Sequence, residues 1–335
     1  MKRIVLAFVL ALIGSSACFA AAPTTRPASP AEGKLPDGVV AERDISYVPG
    51  GDVAQTLDLY LPEQAPDHAL PLVVWIHGGG WMGGSKDGCP LAGMVRRGYV
   101  AASVEYRFSQ KAVFPAQIQD CQAAIRWLRA NAAKYHIDPE HVGVSGASAG
   151  GHLVALLGTA GGKHAFAPIG PNEDQSDLVQ AVCDLFGPTD FSTVMAQAAA
   201  DKTRNIFHFN HAGDPYSQLI GVPLDSDPAK VEAVSPVHYV SKDNPPILIL
   251  HGTTDALVPF AQSVEFADAL KKAGADVVLQ PLPNSGHGGP AFNLPAVHQL
   301  IARFFDKYLK GADVTVEALP DSVVTVPAAP QAKQP

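Results

Sequence analysis

Short apolar runs alternate along the chain with longer segments that carry an apolar stripe, and this rhythm sets the fold class. Residues 39–47 and 55–61 alternate apolar and polar positions, with Pro49-Gly50-Gly51-Asp52 between them. They predict an antiparallel strand pair at a sheet edge. Residues 72–76, LVVWI, form a continuous apolar run suited to a strand covered on both faces, and 99–106 predict another strand. From 115 to 134, Ile118, Cys121, Ile125, Trp127 and Leu128 supply the apolar face of a helix, with Asp138-Pro139 as its expected stop. Strands are predicted again at 141–144, 181–186, 247–250 and 276–282, and helices at 152–157, 260–273 and 294–309. Gly274 and Gly311 stand where the last two helices should close. Strands alternating with helices imply an α/β fold: a mostly parallel sheet with right-handed crossovers, flanked by helices. Residues 187–244 break the rhythm, being rich in Pro, His, Phe and Asn with one helix candidate near 193–200. An insertion of that length beside a site predicts a lid or cap. No internal repeat is apparent.

Between the 141–144 strand and the helix after it lies Gly146-Ala147-Ser148-Ala149-Gly150. A Ser between small residues, on a sharp strand-to-helix turn, is the layout of a nucleophile elbow. The turn strains the Ser backbone and sets its hydroxyl clear of the sheet, over the positive end of the helix. In a parallel sheet, the loops at the carboxyl ends of the strands share one edge, where ligands bind. Four such loops carry reactive groups: His77-Gly78-Gly79-Gly80-Trp81, the Ser148 elbow, His251-Gly252-Thr253-Thr254-Asp255, and Ser285-Gly286-His287-Gly288. Each residue type has a task. A Ser hydroxyl attacks well only if a base takes its proton, and His287 is the candidate base. Asp255 would hold the imidazole tautomer and stabilise the imidazolium. The N–H groups of Gly79, Gly80 and Ala149 would receive an oxyanion.

Other roles are open to the same residues. Asp255 suits a helix N-cap, and both roles are compatible. His287 could be a solvated loop histidine. His77 fits a prop for the glycine loop better than chemistry, and Trp81 is either a stacking surface for substrate or a packing residue. Asp190 and Asp243 are competing acids, but neither follows an apolar strand and a His-Gly turn. His208 and His211 lack a third ligand at useful spacing, so no metal site is expected.

Composition narrows the class. The chain has 335 residues, 47% of them hydrophobic, enough for one large α/β domain or two small ones. Its net charge of −8 comes with no basic run of the kind that binds nucleic acid. Lys2-Arg3, an apolar run over 4–13 and small residues to Ala22 read as a secretory signal over 1–22, and the run is too short for a membrane-spanning helix. A periplasmic or secreted protein without a stable membrane anchor is expected, with lipidation at Cys18 disfavoured because Ser15 stands where a Leu belongs. Residues 23–36 follow as a flexible leader, 37–311 as the catalytic domain and 312–335 as a disordered tail. A cleaved chain would keep Cys89, Cys121 and Cys183, which permit at most one disulfide and favour buried thiols for the rest.

The stretches LVVWIHGGGW, GASAGGHLVALL, PILILHGTTDALVP and SGHG, spread over about residues 40–310, resemble α/β-hydrolase esterases of the hormone-sensitive-lipase and feruloyl/acetylxylan-esterase-like groups. The resemblance implies carboxylic ester hydrolysis through an acyl-enzyme, without a cofactor. Ser148 is then the nucleophile, Asp255 its acid and His287 its base, with Gly79, Gly80 and Ala149 as oxyanion donors. The implied substrate is a small-molecule or polysaccharide-borne ester. Residues 255–260 also resemble prolyl-oligopeptidase-type domains, and the glycine loop resembles that of kynurenine-formamidase-like enzymes. Amide cleavage by the same triad therefore stays open, as does a binding protein on a hydrolase fold.

Overall fold

The computed structural model describes residues 34–201, 209–211 and 213–326. The expected signal segment, Cys18 and His208 lie outside the described residues, as do residues 23–33 of the expected leader and 327–335 of the expected tail. Eight strands form one sheet: β1 (Val39–Ser46), β2 (Thr56–Pro62), β3 (Leu70–Ile76), β4 (Val100–Val104), β5 (Ile137–Ala147), β6 (Ala181–Leu185), β7 (Ile247–Gly252) and β8 (Val277–Leu282). Their spatial order is β1-β2-β4-β3-β5-β6-β7-β8. The β1–β2 and β2–β4 pairs are antiparallel and every other pair is parallel.

Eight α-helices are described: α1 (Ala116–Ala130), α2 (Ala149–Ala160), α3 (Val194–Ala200), α4 (Pro215–Ile220), α5 (Pro228–Val234), α6 (Phe260–Ala273), α7 (Pro295–Lys310) and α8 (Asp321–Val324). The alternation of side chains along β3 divides the core. Leu72, Val74 and Ile76 join a cluster with residues of α1, α2 and α6, while Val73 joins the cluster of α7 and the turn over residues 92–97 on the other face. Among the described residues, no helix is long and apolar enough to cross a membrane.

The structure departs from the expected elements in three places. The first helix stops at Ala130, well short of Asp138-Pro139, and Asn131 Nδ2 donates to Trp127 O at its end. Asp138-Pro139 instead begins β5, where the register with β3 shifts, so the proline's missing N–H falls on an irregular stretch of the ladder. Among its described residues the insertion holds three α-helices, α3, α4 and α5, rather than one. Its Phe191, Val194, Leu219, Ile220, Val231 and Val234 sit in the same core as the sheet. Finally, residues 312–326 are not a frayed tail. Val316 and Val324 are buried against the α7 side of the sheet, and Leu319 exchanges hydrogen bonds with the Gln280 side chain on β8. Cys89, Cys121 and Cys183 are free and buried.

Candidate active site

Strands β3, β5, β7 and β8 all belong to the parallel part of the sheet, so their carboxyl ends bring four loops to one edge. The sharpest is the elbow. Ser148 has φ 57° and ψ −119°, a conformation that costs energy for a residue with a Cβ. Its neighbours make that possible. A Cβ on Gly150 would lie 2.1 Å from Ile76 O, so only glycine lets α2 start this close to β3. Ser148 N–H donates to Leu185 O at 2.8 Å, tying the turn to the end of β6.

Ser148, His287 and Asp255 form one hydrogen-bonded line across 139 residues of sequence. Ser148 Oγ lies 2.8 Å from His287 Nε2, and His287 Nδ1 lies 2.7 Å from Asp255 Oδ2. A carboxylate can only accept, so Nδ1 carries the proton and Nε2 is free to accept from the serine hydroxyl. Asp255 is buried, and its Oδ1 accepts from the N–H groups of Leu257 at 2.8 Å and Val258 at 3.0 Å. It therefore caps its own loop while facing the histidine; α6 starts later, after Pro259. Burial alone would raise its pKa, but hydrogen bonds from His251 and His287 outweigh burial and hold the carboxyl well below the usual range. Asp190 accepts instead from Ser192 N and Oγ, away from this line.

The glycine turn is held by main-chain geometry. Gly79 has φ 118°, and a Cβ there would lie 2.1 Å from Gly83 O. Gly79 O accepts from Met82 and Gly83 N–H, which closes the turn. His77 anchors its start. Its Nε2 donates to Glu105 Oε1 at 2.7 Å, its Nδ1 lies 2.7 Å from Gly78 O, and its ring stacks on Tyr106. Among the described residues, no backbone carbonyl pairs with the N–H of Gly79, Gly80 or Ala149. Donors of this kind can stabilise a developing oxyanion.

A cavity of about 540 Å³ opens over Ser148. It is lined by the glycine turn, Ala149 and His287, with Phe186 beside His287 and Pro188, Pro215 and Tyr216 from the insertion. Phe186, at φ 49°, lays its ring 4.6 Å from that of His287. Trp81 contributes to the wall but is only 2% exposed. Its indole packs against Phe191 and Tyr216, and its Nε1 donates to His152 Nδ1 at 3.2 Å. It is a packing residue with one edge on the cavity, not an open platform for stacking. His152 in turn donates from Nε2 to Val234 O at 2.7 Å, and burial pushes its pKa down to about 4. One neutral imidazole thus joins the elbow helix, the glycine turn and the end of α5.

His152, His251, Phe186, Pro215 and Tyr216 join the site without being among the candidate residues of its sequence motifs. For His251 a signal existed: a histidine ending a buried apolar strand, four residues before the acid.

The family model BD-FAE matches residues 57–270, and the model of a TAP-like protein matches 226–315. Esterase LipQ of Mycobacterium tuberculosis is 34% identical over 258 residues, which cover 76% of this chain and 58% of that protein. The chain spans about three-fifths of the length of the curated relatives it matches. A solved structure of a truncated carbohydrate esterase from gut microbiota superposes with a TM-score of 0.72 at 31% identity, covering 81% of this chain and 96% of that one. A propionate-bound thermophilic esterase from the Planctomycetes species Thermogutta terrifontis gives 0.61 at 27% identity, covering 82% and 94%.

Proposed function

The chain belongs to the BD-FAE family, with the fold of an α/β-hydrolase, and on that footing we propose that it is a serine carboxylesterase acting on short acyl esters. The observation that carries this reading is the line from Ser148 Oγ through His287 to Asp255, with hydrogen-bond distances of 2.8 and 2.7 Å. In the proposed reaction Ser148 Oγ attacks the ester carbonyl carbon as its proton passes to His287 Nε2. Asp255 stabilises the imidazolium. The carbonyl oxygen becomes an oxyanion held by the N–H groups of Gly79, Gly80 and Ala149. Collapse breaks the ester C–O bond, and the departing alcohol takes the proton from His287. Water then attacks the acyl-enzyme, with His287 again as base, and releases the acid and free Ser148.

Among the described residues, the cavity lining carries no Asp, Glu, Lys or Arg side chain, so neutral acyl groups suit it. Its volume suits a short aliphatic or an aromatic acyl group. The similarity to a carbohydrate esterase and the expected export signal support an ester carried on polysaccharide, met outside the cytoplasm. Propionate in a similar esterase supports the short acyl side.

Hydrolysis of p-nitrophenyl acetate, butyrate and octanoate by wild type and Ser148→Ala tests the reading. The expected result is turnover of acetate and butyrate that vanishes in the variant while its melting temperature stays the same. Ester turnover retained by Ser148→Ala removes the nucleophile. A folded wild type that cleaves anilides but no ester replaces the esterase with an amidase.

A further inference from the structure

We propose that His251 is a positioning residue for the acid, a fixed peg that holds Asp255 Oδ2 at the angle His287 requires. The inference rests on the serine-esterase reading for its kinetic consequence, but its geometry stands apart from any substrate. His251 Nε2 lies 3.2 Å from Asp255 Oδ2 and 3.0 Å from Val258 O. Both partners only accept, so Nε2 carries the proton and shares it between them. Nδ1 lies 2.6 Å from Ser263 Oγ on α6, and the serine hydroxyl supplies its proton to that nitrogen. The ring is fully buried, with both nitrogens partnered, and the rings of Phe260 and Phe186 pack edge-on to it at 5.6 and 6.4 Å.

This arrangement fixes the acid from both sides. Oδ1 is held by the N–H groups of Leu257 and Val258, and Oδ2 accepts from His287 Nδ1 at 2.7 Å while His251 Nε2 stands 3.2 Å away as a second, longer contact. A buried carboxylate with its lone pairs filled in this way has one orientation. The same Val258 donates to Asp255 through its N–H and accepts from His251 through its carbonyl, so the ring fastens the whole 255–258 loop to β7 and α6. Leu257 and Val258 also line the cavity. His251 itself is fully buried and does not line the cavity, so it acts through Asp255 and the 255–258 loop.

Loss of the His251 donor has two consequences. Asp255 gains freedom to rotate, which lowers the fraction of sites in which His287 is aligned. Where it remains aligned, Oδ2 no longer divides its acceptance between two donors, and the bond to His287 Nδ1 strengthens. Two variants separate positioning from plain packing. His251→Leu removes the donor at similar bulk. His251→Gln places an amide N–H near the position of Nε2 and should rescue.

The test measures kcat and KM for p-nitrophenyl acetate, normalised to active sites titrated with paraoxon, and the proton resonance of the His287 Nδ1–H bond. His251→Leu is expected to lower kcat per titrated site about tenfold or more, as loss of an outer partner of a reactive group commonly does. KM should change less than twofold, and the resonance should move downfield. His251→Gln should restore most of kcat and the wild-type resonance. Should His251→Leu fold poorly, Ser263→Ala, which frees only Nδ1, is expected to give a smaller loss and a shift of the same sense. Unchanged kcat per titrated site with an unchanged resonance overturns the proposal, even if the number of active sites falls. If wild type cleaves no ester, the esterase reading fails, and the resonances alone still decide whether His251 orders the acid.

Discussion

The glycine turn at 78–81 and the loops bearing Asp255 and His287 shape the surroundings of the Ser148 hydroxyl by different means. The turn is main chain: positive φ at Gly79 and Gly80, a carbonyl that closes the loop, and no room for a Cβ at Gly79. The proposed acid and base are side chains, placed by polar contacts among Asp255, His287 and His251 inside the fold. A main-chain device has no ionisable part, so damage to it should be the same at every pH. A side-chain device works through charge and tautomer, so damage to it should alter the chemical step while the cavity stays intact.

The largest expected effect falls on the side-chain half. Asp255→Asn should lower kcat by roughly 10⁴-fold with little change in KM, because the amide favours the wrong imidazole tautomer. A larger loss from Asp190→Asn would move the acid elsewhere. Gly79→Ala probes the other half. It should cost about 10²–10³-fold in kcat, as loss of an oxyanion donor does. The shape of the pH–rate profile should be unchanged; a shifted profile would show that the two halves are coupled. Tyr216→Leu should leave both halves in place and widen the cavity wall, raising severalfold the kcat/KM ratio of p-nitrophenyl octanoate to acetate. An unchanged ratio would mean that the insertion does not set acyl length.

The smallest effect on activity lies below the elbow. Asp184 on β6 is fully buried, its Oδ1 accepts from Gly187 N–H, and its Oδ2 has no hydrogen-bond partner among the described residues. Burial raises its pKa to about 7, and the bond from Gly187 offsets this only in part. Below about pH 4 the carboxyl is protonated in both folded and unfolded chains. Between there and pH 7 the unfolded chain ionises first, so stability falls as pH rises and stays low above 7. Asp184→Asn should therefore raise the melting temperature at pH 8 by roughly 5–10 °C and change it little at pH 4. The same gain at both pH values would put the effect in packing, not charge.

The legible parts of this site are those whose chemistry is local. An elbow needs small residues on adjacent positions, and an oxyanion turn needs consecutive glycines, so both leave contiguous marks. The central strands leave continuous apolar runs for the same reason. His251 stands close in sequence to its partners, Asp255, Val258 and Ser263, but a Val carbonyl and a Ser hydroxyl carry no motif, so only the fold shows which ring nitrogen meets which of them. The two short helices of the insertion did leave a mark. Asp214-Pro215 and Asp227-Pro228 each place an N-cap side chain before a proline at the first helical position, and both carboxylates accept from first-turn N–H groups. At six and seven residues these helices are too short for a 3.6-residue pattern to emerge, so capping was the signal available. Trp81 was ambiguous for a related reason: an indole beside a glycine turn can face solvent or core, and here His152, Phe191 and Tyr216 draw it inward.

The segment after Gly311 bears on how crowded molecules behave. β8 is the last strand of the sheet, and an uncovered outer strand offers its free amides to the same strand of another molecule. Here Leu319 bonds the Gln280 side chain in both directions, and Val316 and Val324 are seated beside α7, so the chain's own continuation is fastened to that strand. A version ending at Gly311 would keep every reacting group and still turn over substrate when dilute. At high concentration its bared margin would recruit other copies, and cloudiness, rather than lost catalysis, would be the first symptom.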